Sequence, residues 1–266
     1  MSWKRALGLA FLTLLWPPAA FSTGQLTVIW LLGFAFAYRL ADRPDGWGGT
    51  WGGAWGGAAI AAASLTKLFP ALFLVPHLIA RNYRAVLAFA LVWIAALALV
   101  TALNPEALFR FVEVNVGNTI VQIDKPSNAS LLALGYRSLG LPGVALALAF
   151  LLTVLLVAAR GARRDGFMDR PMVWMLSLYF SVALAPIIWI YSFLPLVPVI
   201  WYFLRVDNRA TNLAAIYAIV LPMLWPPYGL EAGRLLPTIF VVFGLAFMVL
   251  AWQKQHRPAP PQAALG

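Results

Sequence analysis

Few residue types in this sequence can do chemistry, and most of them sit in apolar surroundings. Lys67 lies among Leu65, Leu68, Phe69 and Pro70. A charged side chain at membrane depth costs about 3 kcal/mol or more, so its ammonium group needs a partner. An anionic lipid headgroup or a phosphate is one solution. A lysine whose long stem carries the charge out to the outer interface is the other. Asn115, Asn118, Gln122, Asp124, Lys125, Ser127 and Asn128 form a polar run, with Arg137 just beyond it. Such a run either folds over a polar ligand or stays a solvated loop. Trp47, Trp51 and Trp55 recur every four residues beside the glycine pairs 48–49, 52–53 and 56–57. On a helix that spacing makes an aromatic stripe next to a groove of small residues, the pattern of close helix packing rather than of a ligand site.

The elements that must position these groups are membrane helices. Of 266 residues, 62% are apolar and only 11% charged, and the mean hydropathy is +0.83. An ordinary soluble domain carries about 25% charged residues, so this composition excludes a soluble enzyme and makes lipid the solvent for much of the surface. Cysteine is absent, which rules out disulfides, thiolate metal sites and cysteine nucleophiles. His77 and His256 are too few to build a metal cluster. Spans of about 17 to 20 residues fit near 6–20, 25–41, 50–66, 69–81, 85–103, 142–159, 171–188, 191–204, 210–226 and 235–252. The expected architecture is an all-α, polytopic transmembrane bundle of about ten spans over residues 1–254. A disordered, Pro- and Ala-rich cytoplasmic tail is expected over 255–266.

The formal net charge of +10 reads as topology. With the N-terminus inside, 14 of the 19 basic residues fall on inner segments, and Lys67, Arg110, Lys125, Arg137 and Arg234 on outer ones. That division satisfies the positive-inside rule with both termini cytoplasmic and assigns no basic surface to nucleic acid. The start also has the layout of a signal peptide: Lys4 and Arg5, an apolar run over 6–16 and small residues through Ser22. Its cleavage would leave the remaining topology unchanged.

Three helix pairs are short for what they must do. Residues 6–40, 47–80 and 171–204 each cross twice within 34 or 35 residues, where two straight spans and a turn need about 40 or more. Their turns, 16–25, 66–70 and 186–191, should therefore lie below the outer surface. Irregular backbone at that depth is tolerated only where protein or a water-filled cavity covers it. We expect an outward-facing polar cavity roofed by the outer segment 104–140; shortened helices with local bilayer thinning are the alternative. Within that segment Asn104 is placed to cap a helix beginning at Pro105. Glu106, Arg110 and Glu113 share one face of it, and Leu108, Phe111 and Val112 the other, as in an interfacial amphipathic helix. A second short helix over about 129–138, carrying Arg137, should end at Gly140 before Pro142. Asn128–Ala129–Ser130 is also a glycosylation sequon.

Four motifs now stand in one order over residues 16–192. They are Gly24–Gln25 after Trp16–Pro17–Pro18, the Lys67–Leu68–Phe69–Pro70 turn, Asn128–Ala129–Ser130 with Arg137, and Pro186–Ile187–Ile188–Trp189 before Tyr191. In these the chain resembles glycosyltransferase family 87, part of the C-type superfamily of membrane transferases that use polyprenyl-phosphate sugars. The resemblance implies a C-type glycosyltransferase-like bundle in a bacterial plasma membrane, with its active site facing outward. A lipid-linked donor would enter from the bilayer, and its hexose or pentose would pass to a glycolipid or glycan acceptor. It also implies a substrate site at Gln25, Lys67, Asn128, Arg137, Trp189 and Tyr191. There Lys67 or Arg137 would stabilise charge developing on the departing phosphate. Gln25 and Asn128 would direct sugar hydroxyls, and Trp189 and Tyr191 would offer a stacking face with a polar tip. The resemblance names no cofactor.

The chain departs from the family's pattern in several places. Thr27 stands where Asn is usual, Ala129 where Gln is frequent, and Tyr191 and Ser192 where a histidine follows the tryptophan. Family members carry further helices ahead of the Gly–Gln motif, with an outer loop that holds the presumed catalytic aspartate. This chain begins after them, so a fragment, a misplaced start or a degenerate copy is expected. The outer acids Glu106, Glu113, Asp124 and Glu231 match no family catalytic position, and the general base is unassigned. Two other classes share the broken helices: a transporter or flippase for a lipid-linked saccharide, and a non-catalytic membrane module that assists a partner enzyme. The spans contain no inverted repeat or charge relay, which counts against transport.

Overall fold

A computed structural model describes residues 34–35, 52–66, 69–79, 82–163, 170–188, 193, 195–206, 208–224 and 232–256. Among them all regular structure is helical, as the composition requires. The order is α1 (Gly52–Thr66), a 3-10 segment (Phe69–Leu74), α2 (Val75–Ile79), α3 (Tyr83–Leu103), α4 (Ala107–Ile123) and α5 (Leu131–Leu139). There follow α6 (Leu141–Arg163), α7 (Arg170–Ala183), α8 (Val197–Arg205), α9 (Arg209–Leu224), α10 (Ala232–Leu235) and α11 (Thr238–His256).

The expected count of ten spans is not confirmed among the described residues. Three helices are long and apolar enough to cross a membrane: Tyr83–Leu103, Leu141–Ala158 and Gly233–His256, the last joining α10 to α11. Gly53–Leu65 and Pro171–Ala183 are apolar but shorter. Proline explains much of the difference, because it removes a backbone donor and clashes with the preceding turn. Pro70 sits in the 3-10 segment that replaces the start of the expected 69–81 span, and only five residues of α2 follow it. The 171–188 span stops at Ala183, ahead of Pro186, and its neighbour becomes α-helical only at Val197, after Pro195. The expected spans 6–20 and 25–41 (34–35 apart), the 16–25 turn, the signal-like start and residues 257–266 lie outside the described residues. α11 continues through His256, two residues into the expected tail.

The core gathers α6 to α9 and α11 around fully buried Tyr179, Phe203, Phe240, Phe243 and Phe247. Phe203 meets Phe247 at 4.8 Å and Phe243 edge-on at 5.2 Å. The Tyr179 hydroxyl donates to the Phe240 carbonyl at 2.9 Å, so its polar tip is satisfied inside an apolar cluster. α1 lies on α3 through the small residues of the Trp–Gly repeat: a Cβ on Gly57 would stand 2.0 Å from the Ala85 carbonyl oxygen. Farther along, Trp93 Nε1 donates to Ser64 Oγ at 2.7 Å. Over the described glycines 52–53 and 56–57 the groove is therefore a packing surface, as its spacing indicates, while Trp55 stays exposed; Trp47, Gly48, Gly49 and Trp51 lie outside the described residues. α3 buries only Ala85 and leaves Leu87, Leu91 and Ile94 exposed, an apolar surface suited to hydrocarbon as solvent.

Asn104 closes α3 and also caps the turn leading into the next helix: its Oδ1 accepts from the Glu106 amide at 3.2 Å and its carbonyl from the Ala107 amide at 3.0 Å. The outer segment differs from its sequence reading in one respect. α4 begins at Ala107 and runs to Ile123, absorbing Asn115, Asn118 and Gln122, which the sequence placed in a loop. The reason is periodic: Phe109, Val112, Val116, Ile120 and Ile123 repeat at spacings of three and four across those polar positions. Phe109, Val112, Val116 and Ile120 are exposed along one side of α4. The second short helix appears as α5, with Ser130 as its N-cap and Gly140 closing it at φ +67°.

Candidate functional site

Below α7 the chain has no regular structure over 185–188, and the backbone groups freed there need partners. The connection between α4 and α5 supplies them. The Ala185 carbonyl accepts from Ser130 Oγ at 2.6 Å and the Pro186 carbonyl from Asn128 Nδ2 at 2.9 Å. The Ile188 amide donates to Asn128 Oδ1 at 2.9 Å, and the Ile188 carbonyl accepts from the Ala129 amide at 2.8 Å. Of the two covers that irregular backbone can have at this depth, protein is the one present, and Ile188 is fully buried. Trp189 to Tyr191, the rest of the expected 186–191 turn, lie outside the described residues.

Asn128 is itself completely buried, and its amide is fully committed. Nδ2 also donates to the Gln122 carbonyl at 3.1 Å, and Oδ1 also accepts from the Ser130 amide at 3.0 Å. Two donors and two acceptor sites are thus all used. The sequon consequently cannot receive a glycan in this fold, because the nitrogen that would carry it is buried and bonded.

Arg137, in the last turn of α5, reaches back over the same connection. Its Nη1 donates to the carbonyls of Lys125 at 2.9 Å and Ile123 at 3.4 Å; its Nη2 donates to those of Asn128 at 3.0 Å and Gly233 at 2.5 Å. A planar fork of N–H groups suits carbonyls arriving from several directions. Partial burial lowers the pKa of this guanidinium from its ordinary value, Asp124 opposes that shift, and Arg234 adds to it. The group remains cationic, as arginine does throughout folded proteins.

Two of the six sequence candidates are therefore brought into direct contact, through the Asn128 carbonyl and the Arg137 fork. Both spend their hydrogen bonds on the chain's own backbone. Gln25, Lys67, Trp189 and Tyr191 lie outside the described residues. Of their neighbours, Phe69 opens the 3-10 segment, which packs on α1 and α7, and Ile188 directly precedes Trp189. Glu106, Glu113 and Asp124 are exposed on or beside α4, and Glu231 lies outside the described residues. Among the described residues no group of three His, Cys, Asp or Glu converges as metal ligands. A groove of about 600 Å³ between α9 and α11 is lined by apolar residues such as Ala214, Val242 and Ala246, with Tyr217.

Sequence reading quoted Ser130 only as part of the Asn128–Ala129–Ser130 motif, with no role of its own, and missed Gly233. Ser130 has a local signal, since serine is among the preferred N-caps, though its bond to Ala185 does not. Gly233 has no local signal, because what it touches lies about a hundred residues away. A family model described as glycosyltransferase family 87 matches residues 1–186 of the 266. No curated protein and no solved structure matches the chain.

Proposed function

The chain belongs to glycosyltransferase family 87, a family of membrane glycosyltransferases, and from this premise we propose that its donor is a polyprenyl-phosphate sugar and that transfer to a glycolipid or glycan takes place on the outer face. The observation that carries this reading is the contact between two segments 55 to 60 residues apart: Asn128–Ala129–Ser130 lies against 185–188, immediately ahead of Trp189. This contact supports reading the two motifs as parts of one site. In this reading Lys67 is the point charge that meets the donor phosphate in a poorly hydrated place. Gln25 directs sugar hydroxyls, and Trp189 and Tyr191 provide the stacking surface. The distribution of basic residues supports an outer site, with the termini on the opposite side.

The full chain in lipid nanodiscs, titrated with undecaprenyl phosphate, tests the reading. Losing one charge-assisted contact is worth about 1.5 to 3 kcal/mol, or about 10- to 100-fold in affinity. Lys67→Ala should show a loss of that size, and Lys67→Arg a smaller one if charge is what matters. Equal retention by wild type and Lys67→Ala would remove lysine from the phosphate site.

A further inference from the structure

Arg137 joins three parts of the chain through carbonyl oxygens alone. Ile123 ends α4, Lys125 and Asn128 belong to the connection, and Gly233 belongs to α10, beyond the residues matched by the family model. Gly233 approaches so closely that a Cβ there would stand 1.7 Å from the Pro126 carbonyl oxygen and 3.1 Å from that of Asn128. We propose that Arg137 and Gly233 form a catch in which Arg137 is a positioning residue: the shape of its guanidinium, rather than its charge on a donor phosphate, holds Asn128 against 185–188 and fixes the backbone directly ahead of Trp189.

The path of action is short. Asn128 makes all its side-chain bonds from one amide plane, so a small rotation of that plane loosens Pro186 and Ile188 together. The backbone of Asn128 is what Arg137 grips, and Gly233 supplies the second carbonyl to the same Nη2. A lysine cannot replace this arrangement. It offers three N–H groups from one tetrahedral nitrogen on a flexible stem, where four carbonyls need a rigid planar fork. If Arg137 instead served as a charge for phosphate, lysine would be an adequate substitute, as it is at many phosphate sites. The importance of the catch for transfer rests on reading Trp189 as part of the substrate site; the catch itself does not.

The test uses the full chain in nanodiscs with two readouts: amide hydrogen exchange at Ala129 and Ile188, and retention of undecaprenyl phosphate. Arg137→Lys, Arg137→Ala and Gly233→Ala are expected to speed exchange at Ile188 by about tenfold or more, with Val154 in the middle of α6 unchanged. Gly233→Ala leaves every charge in place, so a loss of retention measured below its lowered thermal midpoint, with exchange at Val154 unchanged, reports position and not charge. Wild-type exchange and wild-type retention in Arg137→Lys would show that charge suffices and would overturn the proposal. Unchanged exchange at Ile188 in Gly233→Ala would overturn it as well. Faster exchange in all three variants, with no retention even by wild type, would support the catch while refuting the donor reading.

Discussion

At Asn128 a side chain takes over bonds that a helix would otherwise make. α7 stops at Ala183, and the carbonyl of Pro186 and the amide of Ile188 would be orphaned in apolar surroundings without it. Each buried polar group left unsatisfied costs about 1 to 3 kcal/mol, so Asn128→Ala should destabilise the protein by about 3 kcal/mol or more. Unfolding in mixed micelles, followed by far-UV circular dichroism, would measure this; a loss below about 1 kcal/mol would mean that water replaces the amide. Ser130→Ala removes both the α5 cap and the bond to Ala185, and should cost about 1 to 2 kcal/mol. The sequence shows Asn128 and Arg137 as polar residues in and beside the polar run of an otherwise apolar chain, and the family's motif points to the same two. It does not show whether their partners are substrate or backbone, since the partners lie up to 96 residues away.

Helix boundaries set by local chemistry were legible, and those set by a competition were not. α5 appears within two residues of its expected limits because Ser130 and Gly140 are strong start and stop signals. α4 runs longer than expected because asparagines and a glutamine were weighed as loop formers, while the apolar repeat through Ile123 keeps them helical. α5 and α6 then fold back on each other across Gly140, so closely that a Cβ on Gly143 would stand 1.9 Å from the Gly135 carbonyl oxygen. Gly143→Ala must push two helix backbones apart, and a drop in thermal midpoint is expected. Gly117→Ala is the contrasting case. Nothing lies within 4 Å of a Cβ there, so removing glycine's backbone freedom from α4 should stabilise the protein by about 0.5 to 1 kcal/mol. A lowered midpoint for Gly117→Ala would show that α4 is not helical in the membrane-bound protein.

For the whole molecule, length arithmetic decides which parts can cross. α7 has 14 residues and extends about 21 Å, short of the roughly 30 Å of hydrocarbon in a bilayer. If α7 starts at one surface, the turn after it is expected within the membrane, in keeping with the 34 residues the sequence allows for two crossings. α6 is the opposite case, with 23 residues and about 34 Å, so its ends at Leu141 and Arg163 belong on opposite faces. Gly140 ties the Leu141 end to α5, and Arg137 ties α5 to the end of α4 through Ile123 and Lys125. Asn118, exposed on α4, must then share a side with Leu141 and oppose Arg163. The chain carries no cysteine, so single replacements can be labelled without background. In intact cells, Asn118→Cys should react with a membrane-impermeant maleimide, Arg163→Cys should react only after permeabilisation, and Ile188→Cys, fully buried under Asn128, should resist in both conditions. Labelling of positions 118 and 163 from the same side would mean that α6 does not span, and the outer assignment of the Asn128 and Arg137 site would fall with it.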